Sequence, residues 1–130
     1  MALDPERAEP VDPAGHELGH APNGDRFFGT GNDGKVYRLR GTDLKLICTA
    51  PEPEVYAVAF NGGAVFAGTS PNGKVYRVDP ESGAHAVFFD PQQAYIWALE
   101  PLSGGDLAVA TGDILASVGY PNAPRTWAKV

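Results

Sequence analysis

The residues with the most recognisable catalytic spacing are His16-Glu17-Leu18-Gly19-His20. They fit His-Glu-x-x-His, in which two histidines one helical turn apart bind zinc and the glutamate acts as general base in peptide hydrolysis. That arrangement requires a helix, and the neighbours oppose one. Pro13 and Gly15 come just before, Gly19 sits inside, and Pro22 and Gly24 follow; each is a helix breaker or a weak helix former. Asn23 stands where a glycine would begin the extended form of the motif, and the one remaining histidine, His85, falls in a predicted outer strand. The segment therefore reads as a marginal first strand and not as a peptidase site. On a strand His16 and His20 would still share a face, where stray zinc or nickel could sit. The sequence offers no nucleophile–base pair, no phosphate-cradling glycine loop beside a helix and no Cys–His cluster, and it calls for no cofactor. Cys48 is the single cysteine, which excludes an intrachain disulfide and reads as a small buried hydrophobe.

The elements that must position any site follow from the glycines, the prolines and a repeat. Sixteen Gly and twelve Pro in 130 residues are too many for a helical bundle and suit many tight turns, so the class is all-β. The stretch 28–39, Phe-Gly-Thr-Gly-Asn-Asp-Gly-Lys-Val-Tyr-Arg-Leu, recurs at 67–78 as Ala-Gly-Thr-Ser-Pro-Asn-Gly-Lys-Val-Tyr-Arg-Val. A weaker third copy sets 105–111 against 63–69, and 96–99 against 55–58. Within the middle copy, β-branched and aromatic runs predict strands at about 55–60, 65–69, 74–79 and 85–90, joined by Asn-Gly-Gly, Pro-Asn-Gly and Pro-Glu-Ser-Gly. Asn-Gly supplies the positive φ that tight hairpins need, so Gly73 is expected in a left-handed turn position. The unit is a four-stranded antiparallel meander that cannot bury both faces alone, and its copies must stack. Blades are expected at about 15–52, 53–92 and 93–130, with 16–21 as the first strand and 114–118 and 125–130 as the last two. Residues 1–14, with three prolines and four acids among few large apolar groups, are expected to be disordered.

On these repeated residues the chain resembles bacterial β-propeller proteins with WD-like, NHL-like or regucalcin-like blades, in which a Gly-Thr step and an Asn/Asp-Gly-Lys-Val-Tyr-Arg hairpin return once per blade. The likeness covers about residues 25–112 and implies fold far more than function. It implies that the loops joining second to third strands, and those joining one blade to the next, lie at one end of the ring. Asn32, Asp33, Asn72, Glu52, Glu54, Gln92 and Gln93, with Asp90 and Asp113, would gather there as ligand-binding candidates. The repeat-equivalent Arg38 and Arg77 read as blade-to-blade contacts with packed stems and hydrogen-bonded heads, and Tyr37, Tyr56, Tyr76 and Trp97 as blade-to-blade core. The leading reading is a non-enzymatic binding or scaffold module for a protein or a small molecule. The alternative is a lactonase-like hydrolase with one divalent cation in the central channel, by analogy with regucalcin-type propellers.

Composition bounds the partners. Ten Lys+Arg against sixteen Asp+Glu give a net charge of −6 and a pI near 4.9, with no basic cluster, which argues against nucleic acid and anionic membranes. The longest apolar runs, 55–60 and 94–99, fall far short of the roughly 20 residues that span a bilayer. Met1 to Glu6 lacks the features of a signal peptide, so the expectation is a cytoplasmic protein or a piece of a longer one. Three blades do not close a ring, since complete propellers have about 4–8. Flanking faces lined by Phe27, Phe66 and Trp97 would be left uncovered, so a head-to-tail homodimer giving six blades is expected.

Overall fold

The computed structural model describes residues 2–4, 9–11, 18–31, 33–102, 106–119 and 125–129. Three antiparallel meanders follow one another along the chain. The first is β3 (Leu18–His20), β4 (Arg26–Gly29), β5 (Lys35–Arg40) and β6 (Asp43–Thr49). The second is β7 (Glu54–Asn61), β8 (Ala64–Ser70), β9 (Gly73–Val78) and β10 (His85–Gln93). The third is β11 (Ile96–Pro101), β12 (Leu107–Thr111), β13 (Ile114–Val118) and β14 (Arg125–Lys129). Ahead of them β1 (Ala2–Asp4) pairs with β2 (Glu9–Val11), so the amino-terminal stretch read as disordered holds, within its described residues, a two-stranded ribbon. Leu18 to His20 is strand, as the prolines and glycines around it require, while His16 and Glu17 lie outside the described residues.

A threonine organises the central hairpin of every blade. The Lys35 amide donates to Thr30 Oγ1 at 3.1 Å, the Lys74 amide to Thr69 Oγ1 at 3.1 Å and the Ile114 amide to Thr111 Oγ1 at 2.9 Å. The third blade lacks the Asn-Gly-Lys turn, yet it keeps the hairpin because this hydroxyl substitutes for a backbone acceptor.

Strand alternation places two cores between three sheets. Val65 and Ala67 on β8 face the first blade with Phe27, Val36 and Val55, whereas Ala64 and Phe66 face the third with Ile96, Leu107 and Val109. On β7 the alternation breaks. Val55 joins the first core and Ala57 the second, because the pairing with β8 slips between them and Tyr56 becomes the extra residue of a bulge. The same slip between Ile96 and Ala98 makes Trp97 the extra residue on β11. Phe27 and Phe66 are fully buried in these cores, at 0% and 2% exposure. This corrects the expectation that they line uncovered flanks: the threonine-anchored register turns both toward the following blade.

The joints are built from repeat-equivalent parts. Gly29 has no room for a side chain, since a Cβ there would lie 2.5 Å from Val55 Cγ1, and at Gly68 it would lie 2.5 Å from Ile96 Cγ2. Each glycine is thus a slot for the first β-branched residue of the next blade. Arg38, 6% exposed, spans the first joint as expected, its Nη1 donating to the Pro80 carbonyl at 2.9 Å and to Glu81 at 3.2 Å. Across the second joint Asn61 donates to the carbonyls of Leu102, at 3.0 Å, and Asp106, at 2.7 Å. By strand register, Ala108, Ala110 and Ser117 occupy on the third blade the places of Phe66, Gly68 and Arg77. Its outward face is therefore not a copy of the two internal joints.

Candidate functional site

The hairpin loops and the blade linkers do meet at one end. The Gly34 amide donates to the Pro53 carbonyl at 2.7 Å, the Ala50 amide to the Gly34 carbonyl at 2.8 Å, and the Val55 amide to the Thr30 carbonyl at 2.9 Å. These bonds zip the first hairpin to the linker ahead of β7. In the second blade the hairpin β8–β9 meets the linker ahead of β11. A Cβ on Gly73 would lie 2.7 Å from the Gln93 carbonyl oxygen and 3.1 Å from Tyr95 backbone atoms. Gly73 is outside the left-handed region, contrary to expectation; close approach of the linker is what requires a glycine there. Its repeat equivalent Gly34 is the left-handed one, with φ 63°.

Beside this contact lies an open cleft of about 390 Å³ lined by Pro71, Asn72, Gly73, Lys74, Asp90, Gln92, Gln93 and Ala94. Of the candidates, Asn72, Gln92, Gln93 and Asp90 are brought together here. Asp90 Oδ1 accepts the Gln92 amide at 3.0 Å, and this turn holds Gln92 at φ 60°, the one non-glycine with positive φ among the described residues. A left-handed side-chain-bearing residue costs about 1–2 kcal/mol, and such positions cluster where a chain presents groups to ligands.

Glu52 sits behind the cleft and is 6% exposed. Its Oε2 is 4.0 Å from Lys74 Nζ, while its Oε1 is buried without a hydrogen-bond partner. Burial first, and then the neighbouring Glu52 carboxylate, push the Tyr76 hydroxyl well above the ordinary tyrosine range. The other candidates stay apart from the cleft. Glu54 begins β7 opposite Ser70, Asp33 is exposed and 3.7 Å from Lys35, and Asp113 is exposed in the third hairpin. Asn32 lies outside the described residues. Among the described residues no three His, Cys, Asp or Glu converge as a metal site would need.

The sequence reading passed over Lys74 and Tyr95. Lys74 carried a signal in the Asn-Gly-Lys turn, which places a lysine at the mouth of the hairpin. Tyr95 and Trp97 are exposed, at 40% and 55%, and stacked at 5.0 Å and 18°; Tyr56 stacks on Trp97 at 6.2 Å and 19°. Trp97 and Tyr56 therefore lie outside the two cores, a correction that follows from the bulges, which turn both residues out of the packed faces. Tyr76 is buried in the first core as expected.

No protein-family model matches the chain, and no curated protein does. Solved structures do. Virginiamycin B lyase from Staphylococcus aureus is similar with a TM-score of 0.75 at 15% identity, over 87% of this chain and 40% of that one. The extracellular domain of a putative hybrid two-component system from Bacteroides thetaiotaomicron gives 0.66 at 16% identity, over 87% and 16%. An auxiliary nutrient binding protein from the same species gives 0.61 at 12% identity, over 85% and 35%. The chain thus spans less than half the length of each, and identities this low speak to fold alone. With its three antiparallel meanders, its repeated joints and these neighbours, the chain is a β-propeller repeat protein in fold.

Proposed function

We propose that this chain is a non-catalytic propeller-blade module that binds a small polar solute in the cleft between the β8–β9 hairpin and the linker ahead of β11. The observation that carries the reading is Gln92, held left-handed at the cleft wall with Asn72 and Gln93 beside it. Amide side chains offer both donors and acceptors, and a few such groups fixed in a concavity are what orient a ligand. The test is titration of the labelled chain with a panel of small polar solutes, followed through the side-chain amide resonances of Asn72, Gln92 and Gln93. Saturable shifts confined to those amides are expected, weakened in Gln92→Gly, which keeps the backbone conformation and deletes the amide. No shift from any solute, or turnover of an added lactone by the purified chain, would refute the reading.

Self-association belongs to the same proposal, with two chains stacking head to tail as six blades. Exposed Leu115 on the third blade, and Leu44 and Leu46 on the first, support it, although the joint so formed would differ from the internal two at Ala108, Ala110 and Ser117. Light scattering on a sizing column decides it: a dispersed 13.7 kDa monomer rules the pairing out.

A further inference from the structure

We infer that the solute is a neutral polyhydroxylated ring compound, a saccharide, its hydroxyl edge held by the cleft amides and its C–H face laid on the Tyr95–Trp97 pair. The inference rests on the cleft being the binding site proposed above. The charges in the cleft carry the first step. Lys74, the cation on its wall, already has Glu52 at 4.0 Å, and Asp90 Oδ1 accepts the backbone N–H of Gln92. An anion would meet the Asp90 carboxylate, and a hard cation needs six or more oxygens where no three acidic or imidazole ligands converge among the described residues. What remains on offer is Asn72 and Gln92, with Gln93, whose Nε2 donates to the Gln92 carbonyl at 3.4 Å, presenting its amide oxygen, and a hydroxyl, which both donates and accepts, is the group that an amide satisfies without bringing charge.

The aromatic pair carries the second step independently. Ala94 is in the cleft wall and the next residue is Tyr95, whose backbone packs on Gly73; its ring lies 5.0 Å from that of Trp97 in near-parallel planes. The amide-lined cleft thus borders the Tyr95 backbone, and the exposed ring pair follows directly in the chain. A pyranose has the matching anatomy, with hydroxyls around its rim and a flat patch of C–H bonds that packs on an aromatic face. An amino acid would use the amides and leave the rings idle. A nucleoside would stack its base on the rings and pair the base edge with an amide, and it is the competing occupant that the adenosine titration separates.

The experiment titrates the ¹⁵N-labelled full chain with maltose, cellobiose, lactose and chitobiose, and separately with glutamine and adenosine. The readouts are the side-chain amides of Asn72, Gln92 and Gln93 and the indole N–H of Trp97. At least one disaccharide is expected to saturate both sets of signals together. Trp97→Ala should weaken that binding at least tenfold at an unchanged melting temperature, since the ring is 55% exposed, and Gln92→Gly should weaken it without loss of fold. If glutamine or adenosine saturates the amide signals and no disaccharide does, the saccharide inference fails and the cleft reading stands. If nothing moves the amides, both fail. Disaccharide binding left within twofold by Trp97→Ala overturns the role given to the rings, and with it the inference.

Discussion

Gly68→Ala places one methyl group in the joint between the second and third blades. The new Cβ would lie 2.5 Å from Ile96 Cγ2 and 2.9 Å from Ile96 Cβ, about 1 Å inside the roughly 3.5 Å at which carbon atoms rest against one another. Ile96 is 0% exposed and packed in the second core, and rotation about χ1 leaves its Cβ 2.9 Å from the new methyl. Overpacking of this kind costs about 1–3 kcal/mol. Ile96→Ala by itself opens a cavity at a cost of about 2–5 kcal/mol. In the double variant the alanine methyl enters space that the isoleucine has vacated, so the combined loss should fall short of the sum by about 0.5–3 kcal/mol. Gly112→Ala is the internal control. No atom lies within 4 Å of a Cβ at Gly112, and its φ is outside the left-handed region, so that change should be neutral or slightly stabilising. Urea denaturation of the four variants gives each value from the midpoint and slope. Additivity within about 0.3–0.5 kcal/mol, or a Gly68→Ala variant as benign as Gly112→Ala, would show that the slot does not constrain the joint.

Three further outcomes are expected. Cys48 is buried and burial pushes its thiol up, so a thiol reagent should label it only as the chain unfolds; rapid stoichiometric labelling of folded protein contradicts its place in the core. Asp25 holds Arg40 through contacts of 3.0 and 2.8 Å, and the guanidinium keeps the Asp25 carboxyl below its ordinary 3.8. The pair therefore stabilises the fold above that pH, and the benefit is lost as pH falls through the lower folded-state value. Asp25→Asn should lower the melting temperature at neutral pH and flatten its fall below about pH 4, and an unaltered acid profile would count against it. Asn61→Ala removes both bonds that tie the second blade to the third and should cost about 1–3 kcal/mol; a change of under a few tenths would mean that the clamp carries no stability.

The repeat makes most of this fold legible in the sequence. Lys-Val-Tyr-Arg after a turn glycine, returning at an offset of 39, marks β5 and β9, and Gly-Thr marks the strand before the first two hairpins, with Ala-Thr before the third. A simple period of two cannot show a bulge, however. Val55 and Ala57 have the same parity and end on opposite faces, which is why Tyr56 and Trp97 read as core and are not. Gly73 departs from its expected left-handed turn position for a related reason. Gly34 and Gly73 share a motif and both lie against a linker with no room for a Cβ, but only Gly34 also has a positive φ, and only the path of the linker tells them apart. At the cleft, turn-forming residue types pointed to Asn72, Gln92 and Gln93. The same types pointed equally to Asp33, Glu54 and Asp113, which solvent and strand ends account for.

The glycine slots bear on how such a chain can grow. The second blade carries both halves of a joint, Val55 to enter the slot before it and Gly68 to receive the β-branched residue after it. A duplicate of that blade, inserted beside the original, would keep the Gly29–Val55 and Gly68–Ile96 junctions at its outer ends and add one new junction, in which Gly68 receives Val55, the β-branched residue that already enters the slot of the first joint. The length of the stack can thus change by whole blades through a single in-frame duplication, with no compensating substitution. A duplication of the third blade has no such freedom, because Ala110 fills the slot and the copy would arrive with Ile96 facing a methyl group.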